Sequence, residues 1–163
     1  MNIKRIYTEK KAGYDIEAGG LFADLSENLK IGSLVGVRVI NRYDVEGISE
    51  DEFSRARDTV FREPPLDNYY FELPELDGAA VFAYEYLDGQ FDQRADSASV
   101  CIQILTEKQR PVVKTAKIIA LSGDISREQL EKIKDYCINP LESREASLDL
   151  PRRSILFRPI PGR

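Results

Sequence analysis

The chain of 163 residues contains no histidine. The commonest general base and the commonest metal ligand are therefore missing. Its two cysteines, Cys101 and Cys137, form no CxxC pair, so they cannot build a structural zinc site. Neither a GxxxxGKS/T nor a GxGxxG sequence occurs, which removes the usual phosphate cradles. No apolar run approaches the ~20 residues that a membrane span needs. The N-terminus, MNIKRIYTEKK, has no apolar stretch and is not expected to be a signal peptide. By elimination the segment is poorly equipped for catalysis alone, and we assign it no catalytic residue, no metal ligand and no cofactor. Both cysteines lie in apolar helical patterns and are expected to be buried free thiols of a cytoplasmic protein, with a disulfide or reactive thiol as the alternative. Gly19-Gly20 lies inside a helical pattern, where such a pair suggests close packing.

Net charge is −5, which argues against nucleic acid as the main partner. The charge is uneven. Residues Pro151 to Arg163 carry four arginines and no acid, so the other 150 residues sum to −9 (19 − 28). With three prolines and little periodicity, 151–163 reads as a linker or tail rather than a nucleic-acid arm. Apolar residues make up 42%, enough for a core, and the length suits one domain or two tightly packed halves.

What is present is a pattern that runs twice. Asp15 and Asp92 are 77 residues apart (92 − 15), each preceded by an aromatic, Tyr14 and Phe91. Ser49 and Ser126 are also 77 apart (126 − 49), each preceded by Ile. All four residues are expected to cap helices. Ser49 with Glu52, and Ser126 with Gln129, fit capping boxes, and Ile48 with Phe53 fits a hydrophobic staple. Alternating apolar residues predict strands over Ile3–Thr8, Leu34–Ile40, Asn68–Leu73, Ala80–Leu87 and Val112–Leu121. Prolines flank Asn68–Leu73, so it is placed at a sheet edge. Tyr43–Gly47 is read as a bend, with a short return strand as the alternative. Ala18, Leu21, Phe22, Leu25 and Leu29 recur at helical spacing. So do Ala95, Ala98, Cys101, Ile102 and Leu105, and there Val100 and Ile104 add a second stripe that predicts cover on two sides. Pro64-Pro65 and Pro140 stop helices at matching places. The exits, Pro65 to Leu73 and Pro140 to Leu148, match at an offset of 75 (141 − 66).

Each half, about 1–76 and 77–150, thus reads strand–helix–strand(s)–helix–strand. That is an α+β unit with helices on one face of a mostly antiparallel sheet. Two such units either join sheets or pack face to face as a pseudo-dimer.

The segments GQFDQRADSASVCIQIL, RPVVKTAKIIALSGDIS and INPLESREASL, with VRVINRYDVEGIS and EPPLDNYYFEL upstream, carry a resemblance. Over about 1–150 the chain resembles the N-terminal, PurS-like domain of phosphoribosylformylglycinamidine synthases. From Arg152 it departs from that pattern. The resemblance implies a duplicated, non-catalytic domain that supports assembly of synthetase and glutaminase parts and passage of ammonia between them. The parent enzyme it implies is an ATP- and Mg²⁺-dependent carbon–nitrogen ligase of purine biosynthesis that draws nitrogen from glutamine. The family's glutaminase triad has no counterpart here.

Gln90, Asp92, Arg94 and Asp96 form the densest polar turn, and Glu142, Ser143 and Arg144 precede the tail. These are the candidate contacts to the synthetase domain, since Arg pairs well in fork geometry at such seams. The plainer reading is a helix cap and a solvated first turn. Tyr69, Tyr70, Phe71, Tyr84 and Tyr86 suggest an aromatic cluster, with sheet packing the expected role and stacking of a base the weaker alternative given the acidic charge. Expected partners are the synthetase and glutaminase domains, with self-association through an open sheet edge as a further reading. Neither nucleic acid nor membrane is expected. The rival function is a regulatory module that binds a small molecule between the halves.

Overall fold

The computed structural model describes residues 2–155. Six strands and four helices alternate in the order β1 (Ile3–Lys10), α1 (Ile16–Ala23), β2 (Leu34–Glu46), α2 (Glu50–Ala56), β3 (Asp67–Tyr70), β4 (Ala80–Tyr86), α3 (Gln93–Thr106), β5 (Val112–Gly123), α4 (Arg127–Cys137) and β6 (Ser143–Ala146). The second half repeats the element order of the first. α1 and α2 each run on into a π-helical turn, at Asp24–Asn28 and Arg57–Phe61.

All the strands pair antiparallel in one sheet, ordered β3-β1-β2-β5-β4-β6. The fold is α+β, as the patterning implies, and the halves join sheets rather than stack. The seam is the long β2–β5 pairing, from Leu34 opposite Gly123 to Glu46 opposite Val112. It relates the halves by an approximate twofold axis. Asn41 pairs with Lys117, 76 residues on (117 − 41), so the axis passes through that pair. The exits follow the same spacing: Asp67 stands beside Lys10 and Ser143 beside Tyr86, offsets of 76 (143 − 67 and 86 − 10), not the 75 suggested by sequence.

Residues alternate faces along a strand. Val39, Tyr43 and Val45 of β2 look toward the helices, as do Ile119 and Leu121 of β5. The helix layer is exchanged between halves. α3, from the second half, contributes Ala98 and Ile102 to a core with Ile6, Tyr43, Phe53 and Phe61 of the first. α1, from the first half, contributes Ala18 to a core that continues through Leu25 to Phe82, Ile119, Leu121 and Ile133 of the second. Each core therefore needs side chains from both halves.

The capping boxes form at Ser49–Glu52 and Ser126–Gln129, with both reciprocal bonds in place. Asp92 caps α3 through Ala95 N–H. Asp15 does not cap: its side chain makes no cap bond, and only its carbonyl accepts, from Gly19. Tyr43–Gly47 is not a bend, because β2 runs unbroken to Glu46. Its charged residues are tolerated there because Asp44 meets Arg5 across the ladder. β3 is an edge strand but ends at Tyr70, and β6 ends at Ala146.

Helix α3 is covered on one side only. Ile104 is 73% exposed and Cys101 is exposed, so Cys101 is not a buried thiol. The neighbouring stripe of Ala95, Ala98 and Ile102 already fills the space above the sheet. Cys137 is half-buried, and burial pushes its thiol pKa up to about 11. Gly19 and Gly20 are exposed with nothing within 4 Å of an added Cβ, so they are no close-packing point.

Beneath the sheet lies a third core of Tyr7, Ile40, Ala83 and Ile118, against which Leu73 and Leu76 of the inter-half connection pack. Beside it Arg5 forks onto Asp44 at 2.7 and 2.9 Å. Arg5 and Arg42 also donate to the backbone carbonyls of Leu148 and Ser147, at 3.1 and 2.7 Å. The segment after β6 is thus tied to this face. Ser154 Oγ donates to Glu46 and Ile155 is buried, so the start of the expected linker packs on the body; 156–163 lies outside the described residues. The charged pair Arg38–Glu9 recurs as Lys114–Glu85, each member 76 residues on (114 − 38 and 85 − 9).

Candidate functional site

A cavity of about 560 Å³ opens beside the pseudo-twofold axis. Its walls come from the first turns of α3, the end of β4, the middle of β5 and the turn into β6, with Asn41 of β2 reaching in from the first half. Strand alternation aims Tyr84, Thr115 and Lys117 at the helix layer, and the α3 cap fixes where Arg94 begins. A smaller cavity of about 370 Å³ occupies the related place in the first half, and Asn41 and Arg94 line both.

The larger cavity is closely organised. Asp92 accepts from Ala95 N–H through Oδ1 and from the Thr115 hydroxyl through Oδ2, at 3.0 and 2.6 Å. One carboxylate thereby caps the helix and ties it to β5. Glu85 is 8% exposed and accepts from Lys114 at 2.7 Å and Arg144 at 3.0 Å. Lys117 pairs with Glu17 of α1, joining the halves across the axis. Arg94 Nη1 donates to the Tyr43 hydroxyl at 3.2 Å and makes no ion pair among the described residues. Burial is the largest influence on Arg94 and lowers its pKa, but Tyr43, Glu17 and Asp92 outweigh it and the net shift is upward. Burial also pushes the Tyr84 phenol well above its ordinary range, so it stays a neutral donor. Asn41 Oδ1, on the axis, is buried with no hydrogen-bond partner among the described residues.

The six candidate contact residues surround one region. Asp92, Arg94 and Glu142 line the larger cavity, with Ser143 beside them. Gln90 and Asp92 line the adjoining hollow over Lys114. Asp96 lies on the next flank, where it pairs with Arg110 at 2.7 Å. Arg144 bonds Glu85 on the cavity wall and reaches Asp88 at 3.6 Å. Two segments some fifty residues apart are thus brought together, which sequence spacing alone does not show. The aromatic residues, by contrast, are separated. Tyr69 and Phe71 pair edge to face near β3, while Tyr84 stacks on Phe82 in β4, four places along the sheet. Tyr69 is instead covered by Arg57 and Arg62, at 4.8 and 4.5 Å from its ring centre.

Sequence reasoning missed Arg42 and Asp44, the most enclosed charges among the described residues, with Arg5 beside them, and also Glu85, Lys114 and Lys117. The signal was present: Arg42 and Asp44 stand at alternate places in a β-branched strand, so both point to one face. Burial and the Arg5 charge lower the Arg42 pKa. The carbonyls of Ser147 and Leu148 therefore serve a pair of arginines that share a single carboxylate.

Among the described residues no group of histidine, cysteine, aspartate and glutamate could hold a metal ion, and no helix is long and apolar enough to cross a membrane. No family model matches the chain, and no curated protein matches it.

Proposed function

We propose that this chain is a non-catalytic docking and scaffold domain of a phosphoribosylformylglycinamidine synthase, acting in the cytoplasm. It would hold the synthetase and glutaminase parts in register, so that ammonia released from glutamine reaches the activated substrate. The parent reaction, formation of the amidine with ATP and Mg²⁺, belongs to those other parts. The sequence resemblance supplies this identity. The structural observation that supports it is that Asp92, Arg94 and Glu142 line one cavity, with Gln90 and Asp96 on its flanks and Arg144 bonded to Glu85 beside it. Phe91 and Leu141, adjoining this rim in sequence, are 71% and 83% exposed, and Tyr86, on the cavity wall, is 43% exposed. Exposed aromatic and aliphatic anchors ringed by charge suit a protein contact better than free solvent.

The test is complementation in trans. The remainder of the synthase, lacking this segment, is assayed for glutamine- and ammonia-dependent activity with and without the purified chain. Restored activity, strongest with glutamine, is the expected result, and Phe91→Asp or Leu141→Asp in the added chain should weaken it. A remainder that is fully active alone removes the scaffold reading.

A further inference from the structure

Five charged residues line the larger cavity: Glu85, Asp92, Arg94, Lys117 and Glu142. Three of them are satisfied within the protein. Glu85 holds Lys114 and Arg144, Lys117 holds Glu17, and Asp92 takes a backbone N–H and the Thr115 hydroxyl. Two are not. Among the described residues Arg94 bonds the neutral Tyr43 hydroxyl, with Glu17 and Asp92 acting on it from beyond ion-pair distance, and the exposed Glu142 carboxylate has no side-chain partner although its backbone is fixed at both ends by Leu87 and Asn139. One cation and one anion without ion-pair partners among the described residues thus line the same space of about 560 Å³. That volume lies within the range of small-molecule sites.

We propose that this cavity binds a small zwitterion of amino-acid type, its carboxylate on Arg94 and its ammonium on Glu142. The charges select against simpler ligands. A bare oxyanion would meet Arg94 but also the carboxylates of Asp92 and Glu142. A bare amine would meet Arg94 and Lys117. Only a molecule carrying both charges uses both unpaired groups. The two halves supply a reason why the larger cavity rather than its relative takes this role. The place of Arg94 is held in the first half by Glu17, 77 residues earlier (94 − 17), and the place of Lys117 by Asn41 (117 − 41 = 76). The guanidinium thus has no counterpart in the first half, and although Arg94 lines both cavities, Glu142 lines only the larger. Asn41, Tyr84, Gln93 and Ser97 are neutral polar groups on the lining that can read the ligand's side chain. The site does not depend on the docking reading above, and a ligand here could accompany or replace a protein partner.

The experiment is titration of the purified full chain with a panel of the standard L-amino acids at millimolar concentration, followed by thermal shift and calorimetry. For any amino acid that binds, the matching deaminated acid and decarboxylated amine are titrated in parallel. The expected result is saturable binding by at least one amino acid, with both truncated analogues weaker by about tenfold or more. Arg94→Gln and Glu142→Gln should each weaken binding by a similar factor. Glu142 is exposed and outside the cores, so Glu142→Gln leaves the fold intact even if Arg94→Gln perturbs α3. The proposal is overturned if no amino acid binds, if a truncated analogue binds as well as its parent, or if Glu142→Gln binds as well as the native chain.

Discussion

Replacing Asp44 by Asn tests the architecture at its most enclosed charge. Asp44 is 2% exposed, and both its oxygens receive the Arg5 guanidinium, at 2.7 and 2.9 Å. Arg42 Nε lies 3.9 Å from the same carboxylate. Asn keeps the volume, but it removes the carboxylate that, among the described residues, pairs with these arginines and turns an NH₂ toward one of the donors. Two cations, 9% and 4% exposed, would be left with little but the carbonyls of Leu148 and Ser147. Breaking a buried pair in this way costs about 3–5 kcal/mol. Against a total stability of roughly 5–15 kcal/mol, the fold survives but is weakened. With a urea slope of about 2 kcal/mol/M, the midpoint falls by about 2 M. Urea unfolding followed by circular dichroism measures this, with the exposed Asp135→Asn as the control, expected within about 0.5 kcal/mol. The segment 147–155 should also become more open to protease, because its two arginine anchors are redirected. If Asp44→Asn unfolds at the control's midpoint, Asp44 is not the counter-charge that keeps Arg5 and Arg42 under the sheet.

Gly123→Ala should cost about 2–4 kcal/mol more than Gly13→Ala in the same assay: its φ is +120° and an added Cβ would lie 2.2 Å from the Ser33 carbonyl, whereas at Gly13 (φ +90°) nothing lies within 4 Å. Equal costs would mean that the irregular start of β2 yields freely. Ser49→Ala and Ser126→Ala should each cost about 1 kcal/mol by thermal unfolding, and Asp15→Ala much less, since its side chain caps nothing. The Ser49 backbone N–H, then Lys108, hold the Glu52 carboxyl down at about 2. A depressed carboxyl stabilises the fold above its ordinary value near 4.5 and loses that stabilisation as pH falls toward 2. Stability measured between those limits should therefore drop less steeply for Glu52→Gln than for the native chain. Finally, 1–76 and 77–150 expressed separately should each lack fixed tertiary structure by NMR, and mixing them should restore it; a half that folds alone would contradict the exchanged helix layer.

Much of the local structure was already legible in the chain. Ser49 with Glu52 and Ser126 with Gln129 act within four residues, so the helices they open need no tertiary information. Alternation in Val112–Leu121, and the helical spacing of Ala98 and Ile102, likewise fixed which side of each element is apolar. The recurrence of caps and exits gave the order of elements in both halves. Where long-range partners compete with local propensity, sequence reading failed. A bend is expected at Tyr43–Gly47, but β2 continues because Arg5 from β1 meets Asp44 across the ladder. The second apolar stripe of α3 predicted cover at Ile104, but the sheet has one helix-bearing face and that position looks outward. Joining through β2–β5, the crossing of α1 and α3 between halves, and the meeting of residues 90–96 with 142–144 all rest on contacts between distant residues. A hydrophobic pattern says which face must be buried; only the closed tertiary packing decides what buries it, and with it which charges are left unpaired around the cavity.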